Sequence, residues 1–461
     1  MVSFSTETTI GRSEAATTLR PNANLMKATL TGALGGLLFG FDTVVISGAI
    51  DALVHLYRLS PLGQGWTVAI ALIGTVVGAL GAGIAGQKIG GRETLRITAG
   101  LYILSAIGSS LAWNWPSLMI FRLLGGLGIG ASSVLGPVYI TELAPAKWRG
   151  RLVGAFQFNV VFGILAAYTS NYLVRLANLG AIEWRVQVGV AALPAIGFLI
   201  LLFGIPRSPR WSASQNQIEE ALAVLRQMGE PDPEGELEEI RSALAAEHSS
   251  AHEPVFRWKY RYPLFLAISI GAFNQLSGIN AILYYLPSIF ASAGFSQLSG
   301  DKQAIAIGFT NLIFTTGGMS VIDKIGRKTL LLIGAAGTAG CLGAISWLFA
   351  TNSHPAALVW LFVGYIAFFA LSQGAVIWVY ISEVFPNHVR SKGQGIGNAS
   401  HWIMNTIIAL EFPVMVVNLG RSAPFTFFAA MTFAQFMVVL FVYPETKGQT
   451  LEQLQRTLVK K

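Results

Sequence analysis

Two ionisable residues stand inside long apolar runs, where a lone charge is expensive: Asp42, within 27–50, and Arg122, within 117–140. Ionisable side chains in such runs are functional by default and need an opposite charge nearby. Asp42 can take up and release a proton, and each such event would free or recapture Arg122. The alternative is a structural ion pair that fixes one helix against another. A second set is neutral: the amides Gln157, Asn274, Gln275, Asn280, Asn311 and Asn405. An amide both donates and accepts, so a group of them, with an aromatic plate, suits a neutral ligand ringed by hydroxyls and carrying apolar faces. Gln275 and Asn280 are rotated by roughly 140° on an unbroken helix. Gly278 between them permits a break that would let both reach one ligand. Each amide has a second reading, as a hydrogen bond that ties two helices together.

The elements that must position these groups are membrane helices. Of 461 residues 53% are hydrophobic and only 12% charged, about half the charge of an ordinary soluble domain. Apolar runs of about 20 residues, each long enough to cross the hydrocarbon, are expected at 27–50, 65–86, 95–113, 117–140, 152–174 and 186–205. After a polar stretch, six more follow at 262–291, 304–321, 329–350, 356–383, 394–417 and 424–443. The chain therefore divides into a tail (1–26), a six-helix half (27–206), a linker (207–258), a second half (259–443) and a tail (444–461). The linker carries helical patterns near 215–228 and 234–247; it is either a solvated connection or part of a gate. The fold class is an all-α polytopic membrane protein with two pseudo-symmetric halves.

The formal charge of +8 is not a nucleic-acid signal, because the basic residues occupy the gaps between apolar runs. Arg58, Arg175, Arg185, Lys302 and Arg421 fall on one side and Arg122 inside a helix; the remainder of the 31 Lys and Arg fall on the other. That bias places both termini in the cytosol. The single cysteine, Cys341, can form neither an intrachain disulfide nor a metal site. The Ser/Thr-rich start lacks the apolar core of a cleaved leader.

The halves repeat each other. Gln87-Lys-Ile-Gly-Gly-Arg matches Asp323-Lys-Ile-Gly-Arg-Lys, Tyr139-Ile-Thr-Glu-Leu-Ala-Pro matches Tyr380-Ile-Ser-Glu-Val-Phe-Pro, and Pro206-Arg-Ser matches Pro444-Glu-Thr. Two parallel six-helix halves imply a pathway between them, a site near mid-membrane and alternating access.

These motifs, with Gly35-Gly-Leu-Leu-Phe-Gly-Phe-Asp42 and Gln275-Leu-Ser-Gly-Ile-Asn-Ala-Ile-Leu-Tyr-Tyr285, resemble the sugar porter family of the major facilitator superfamily along the whole chain. The resemblance implies monosaccharide contacts at Gln157, Gln275, Asn280, Asn311, Trp378 and Asn405, with Asn274 in place of a usual Gln. Phe39, Tyr284 and Trp402 would line or close the pocket. Family members with an acid at the place of Asp42 are typically proton symporters, whereas facilitative members have Asn. Gly374 and Ile164 would leave room for a hydroxymethyl group, which favours a hexose such as glucose. Proton symport is thus expected, with a facilitative uniporter, a polyol carrier and a transport-incompetent sensor as alternatives.

Glu142, Arg149, Glu383 and Arg390, with Lys88, Arg92, Asp323, Arg327 and Lys328, lie at helix ends on the basic side. They are expected to form an ion-pair gate between the halves, or else to anchor the chain at the membrane surface. The chain departs from the family pattern at Gln87, Gly91, Arg207, His401 and Glu411. His401 stands where Gln or Asn is usual and is either a sugar donor or a satisfied polar side chain. Glu411 is expected near an outer vestibule or as a second protonatable group.

An enzyme is a poor alternative. Gly126-Leu-Gly-Ile-Gly130 lies in an apolar run with no preceding strand, and no Gly-Lys-Ser/Thr string is present. No cofactor or metal is expected, and the chain should act as a monomer in a plasma or bacterial inner membrane.

Overall fold

The structure is a computed structural model and describes residues 22–145, 147–249, 254–386 and 389–449, with Leu454 and Leu458. Most of the expected N-terminal tail, including Arg12 and Arg20, lies outside the described residues, as do Arg456, Lys460 and Lys461.

The first half comprises α1 (Ala23–Tyr57), α2 (Pro61–Ile89), α3 (Gly91–Ser110), α4 (Trp115–Leu143), α5 (Arg149–Leu176) and a sixth crossing split into α6 (Glu183–Gly189) and α7 (Ala192–Leu202). Three short helices follow, α8 (Pro209–Ser214), α9 (Ile218–Met228) and α10 (Pro233–Ser249). The second half begins with a crossing divided into α11 (Arg261–Leu276) and α12 (Ile279–Ser292), then α13 (Gln297–Ile325) and α14 (Arg327–Thr351). Its last three crossings are α15 (Pro355–Leu371) with α16 (Gln373–Glu383), α17 (Arg390–Leu419) and α18 (Ala423–Phe441). Eleven of these twelve crossings meet a length and hydropathy criterion for spanning. The exception, α3, opens with Arg92, Glu93 and Arg96, which dilute its apolar character.

Local chemistry sets the helix ends. Asn22 accepts from the Leu25 amide at 2.8 Å to start α1, and Arg58 in the left-handed region ends it. Ser60 caps α2 ahead of a proline at its first position, where the missing N–H costs nothing. Asn114 and Ser117 form a reciprocal cap on α4. The break between α11 and α12 falls at Gly278, whose φ of +81° suits glycine; a Cβ there would lie 2.3 Å from Phe428.

Close helix packing uses small residues. A Cβ on Gly126 of α4 would meet the Ala71 carbonyl of α2 at 1.9 Å, and one on Gly40 of α1 would meet the Val160 carbonyl of α5 at 1.9 Å. The repeat read from the sequence reappears as repeated bonds. The Tyr139 hydroxyl donates to the Pro206 carbonyl at 2.7 Å, and Tyr380 donates to Pro444 at 3.2 Å. Likewise Arg149 Nε donates to Ala144 at 3.3 Å and Arg390 Nε to Phe385 at 3.4 Å.

The linker helices rest on the first half. Val224 and Met228 enter its core, Trp211 packs beneath Gly90 and donates to the Gln87 carbonyl at 3.1 Å.

Buried apolar residues show which way the molecule is closed. On the face that bears the linker, here the terminal face, each half has its own cluster, one running from Leu25 to Met228 and the other from Val255 to Leu458. Towards the opposite, far face a single cluster joins both halves, from Phe41 and Val45 through Tyr284 and Phe290 to Phe428. The apolar cluster shared by both halves lies towards the far face, and the clusters towards the terminal face are separate.

Candidate substrate and proton site

The break at Gly278 ends α11 with Asn274 and Gln275 and starts α12 with Asn280, Tyr284 and Tyr285, bringing amides and phenols to the middle of the bundle. Gln275 is buried; its Nε2 donates to Asn274 Oδ1 at 3.1 Å and lies 3.2 Å from His401 Nε2. Its Oε1 has no partner among the described residues. The His401 ring sits 5.0 Å from Trp378 and 5.1 Å from Trp402, and Trp402 in turn 5.6 Å from Phe39 of the other half. Next along α17, Asn405 Nδ2 donates to the Tyr284 hydroxyl at 3.0 Å.

Asn311 of α13 is buried and accepts from Thr315 at 3.2 Å. A Cβ added to Gly374 would lie 3.8 Å from Thr315 Oγ1, so this glycine borders the same pair. Gln157 and Asn280 are half-buried and make no hydrogen bond among the described residues. Ile164 is buried in α5. The structure thus links Asn274, Gln275, His401, Trp378, Trp402 and Phe39 in one chain of contacts and Tyr284 with Asn405 in a second, with Trp402 and Tyr284 lining one cavity. The contact of His401 with Gln275 is a relationship the sequence did not give.

Asp42 and Arg122 are both buried. They do not form an ion pair: Arg122 Nε instead donates to the Thr67 carbonyl of α2 at 2.9 Å. The Asp42 carboxylate lies towards α4, where a Cβ on Gly125 would come within 3.5 Å of its Oδ2. Both residues line a narrow cavity of about 10 Å³, on the order of one water, whose other walls include Thr43, Thr75, Tyr284 and Trp402. The charged pair and the aromatic end of the amide cluster share that cavity.

Among the residues expected to form a gate, several ion pairs lie within one half or reach the linker. Arg92 and Arg96 hold Glu93 at 2.7 and 2.8 Å, and Arg149 reaches Glu236 of the linker at 3.6 Å. Ser208 hydrogen-bonds Glu142. In the second half Arg327 bridges Asp323 at 2.9 Å and Glu383 at 2.8 Å, and Thr446 donates to Glu383 at 2.6 Å. Lys328 Nζ donates to the Leu440 carbonyl at 2.9 Å. Lys88 is exposed. Sequence reasoning missed Glu445, which accepts from the amides of Arg327 and Lys328 at 2.9 and 3.0 Å and so caps α14. The signal was available, since Arg207 stands at the repeat position of Glu445. Arg207 makes no such cap; its guanidinium lies over Trp211 at 5.1 Å.

Glu411 is exposed on the outside of α17, in line with exposed Ile403 and Ile407 at helical spacing.

The fold agrees with three comparisons. The sugar (and other) transporter family matches residues 28–458. The arabinose-proton symporter of Bacillus subtilis is 38% identical, covering 93% of each chain. The D-xylose-proton symporter of Escherichia coli is 34% identical over 94% of this chain and 95% of that one. The glucose transport protein of Synechocystis is 34% identical over 92% and 95%. Among solved structures, the inward-open conformation of the E. coli xylose transporter XylE superposes with a TM-score of 0.84 at 33% identity, covering 94% of this chain and 99% of that one. The same transporter bound to 6-bromo-6-deoxy-D-glucose gives 0.78 at 32% identity, over 95% and 100%. With its twelve crossings in two repeated halves and a family match over nearly its whole length, this chain belongs to the sugar transporter family and has the major facilitator fold.

Proposed function

We propose that the chain carries a monosaccharide across the membrane together with a proton, by alternating access between its halves. The observation that carries this reading is the narrow cavity that joins Asp42 and Arg122 to Tyr284 and Trp402. Proton occupancy at Asp42 is thereby within reach of the side chains that close on the sugar. Relatives named as arabinose– and xylose–proton symporters support the coupling.

With Arg122 held by the Thr67 carbonyl, a neutral, protonated Asp42 needs no counter-ion. Loss of the proton towards the terminal face recharges Asp42 and draws Arg122 to it, which moves α4 relative to α2 and resets the carrier. The sugar is held by Gln157, Asn274, Gln275, Asn280, Asn311, His401 and Asn405, with Trp378, Trp402, Phe39 and Tyr284 against its apolar faces and Gly374 leaving space. The named relatives carry pentoses in two cases and glucose in one, which puts arabinose and xylose ahead of the hexose suggested by Gly374 and Ile164.

The basic bias puts the terminal face in the cytosol. When that face closes, Glu142, Arg149, Glu383 and Arg390 exchange partners across the halves. Such pairs are weak singly, about 0–1 kcal/mol, so the gate depends on their number. Uptake of labelled arabinose, xylose and glucose into proteoliposomes, with and without an inward proton gradient, tests the proposal. Gradient-dependent accumulation supports it, and equilibration alone leaves a uniporter.

A further inference from the structure

The polar contacts that cross between the halves at the far face are made by residues outside the sugar and proton site. Arg175, at the end of α5, is the centre. Its Nε donates to Asp301 of α13, its Nη1 to Gln297 of α13 at 3.0 Å, and its Nη2 to the Gly48 carbonyl of α1 at 3.2 Å. Glu183 flanks it at 3.3 Å. Asp301 is only 2% exposed. Alongside, Ser288 of α12 donates to Asp51 of α1 at 2.8 Å, and the Tyr168 hydroxyl of α5 to the Leu283 carbonyl of α12 at 2.7 Å.

We propose that Arg175 and Asp301, seconded by Asp51 and Ser288, form a latch that holds the far face shut while the terminal face is open. The inference rests on the alternating-access reading, and it assigns to these four residues the ratio of the two conformations rather than any contact with sugar or proton. The physical argument is directional. In this conformation Asp301 is buried against a guanidinium that belongs to the other half. Parting the halves at the far face must separate two charges, or rewet both. Removing Arg175 leaves Asp301 buried without compensation, and removing Asp301 leaves Arg175 with Glu183 alone and no charged partner across the halves; either penalises the closed face. Glu183 shares the half of Arg175 and stays with it when the face opens. The latch is therefore the pair that crosses.

The test uses the full chain in a Cys341→Ser background, with spin labels at Arg58→Cys of the first half and Ala356→Cys of the second, both exposed at the far face. Distances are read without sugar and without a proton gradient, so the result stands apart from substrate identity and coupling. Asp301→Asn is expected to raise the long-distance, far-face-open population at least about ten-fold, Ser288→Ala to give a smaller rise, and the exchange Arg175→Asp with Asp301→Arg, made together with Glu183→Gln so that no carboxylate faces position 175 from its own half, to restore the short distance. Should Asp301→Asn fold poorly, Ser288→Ala and the double exchange decide alone. Unchanged distances in Asp301→Asn and Ser288→Ala, or no recovery in the double exchange, would overturn the latch.

Discussion

Asp42 and Arg122 border one narrow cavity yet form no ion pair, and Arg122 Nε donates to the Thr67 carbonyl 2.9 Å away. Arg122→Gln removes the charge that a deprotonated Asp42 would recruit. Gradient-driven accumulation should then fall at least about ten-fold, while exchange of sugar across the membrane persists. Radiolabelled uptake compared with counterflow checks this.

Gln275 Nε2 and His401 Nε2 lie 3.2 Å apart in the proposed sugar site. Gln275→Ala should weaken sugar binding by about ten-fold or more, the equivalent of about 1.4 kcal/mol. His401→Asn retains a donor and an acceptor but withdraws the ring from between Trp378 and Trp402. It should change the ratio of pentose to hexose affinity more than either affinity alone. Quenching of tryptophan fluorescence on sugar addition provides the measurement.

Gly278 sets the break that presents both amide groups. With φ at +81° and Phe428 where a Cβ would go, Gly278→Ala combines left-handed strain with a clash. About 2–4 kcal/mol of destabilisation is expected, read as a fall in the melting temperature of the purified protein together with lost uptake.

The repeat offers an internal control at the helix caps. Glu445→Gln should cost about 1 kcal/mol through weaker hydrogen bonds at the start of α14. Arg207→Glu would place a carboxylate at the equivalent end of α3, where Gly90 supplies no side-chain cap. It should raise stability by about 0.5–1 kcal/mol, provided the lost packing on Trp211 is smaller. Thermal melting of both variants decides.

The sequence exposed the crossings and the repeat, because apolar length and local motifs are read along one run. Even the outward face of Glu411 was within reach, since Ile403 and Ile407 precede it at steps of four. What could not be read was the vertical register of one helix against another. Asp42 and Arg122 were expected to pair because each is buried and charged, but the Thr67 carbonyl, from a third helix, takes the guanidinium. His401 meeting Gln275 and Arg175 meeting Asp301 are likewise contacts between segments more than 100 residues apart. Spacing within one run carries no information about them.

The most direct test of the account is proton-driven accumulation of labelled arabinose and xylose in proteoliposomes containing the wild type or Asp42→Asn. The account predicts accumulation above equilibrium in the wild type that depends on the inward proton gradient, and in Asp42→Asn only equilibration, with sugar binding retained. Accumulation that survives in Asp42→Asn would contradict it.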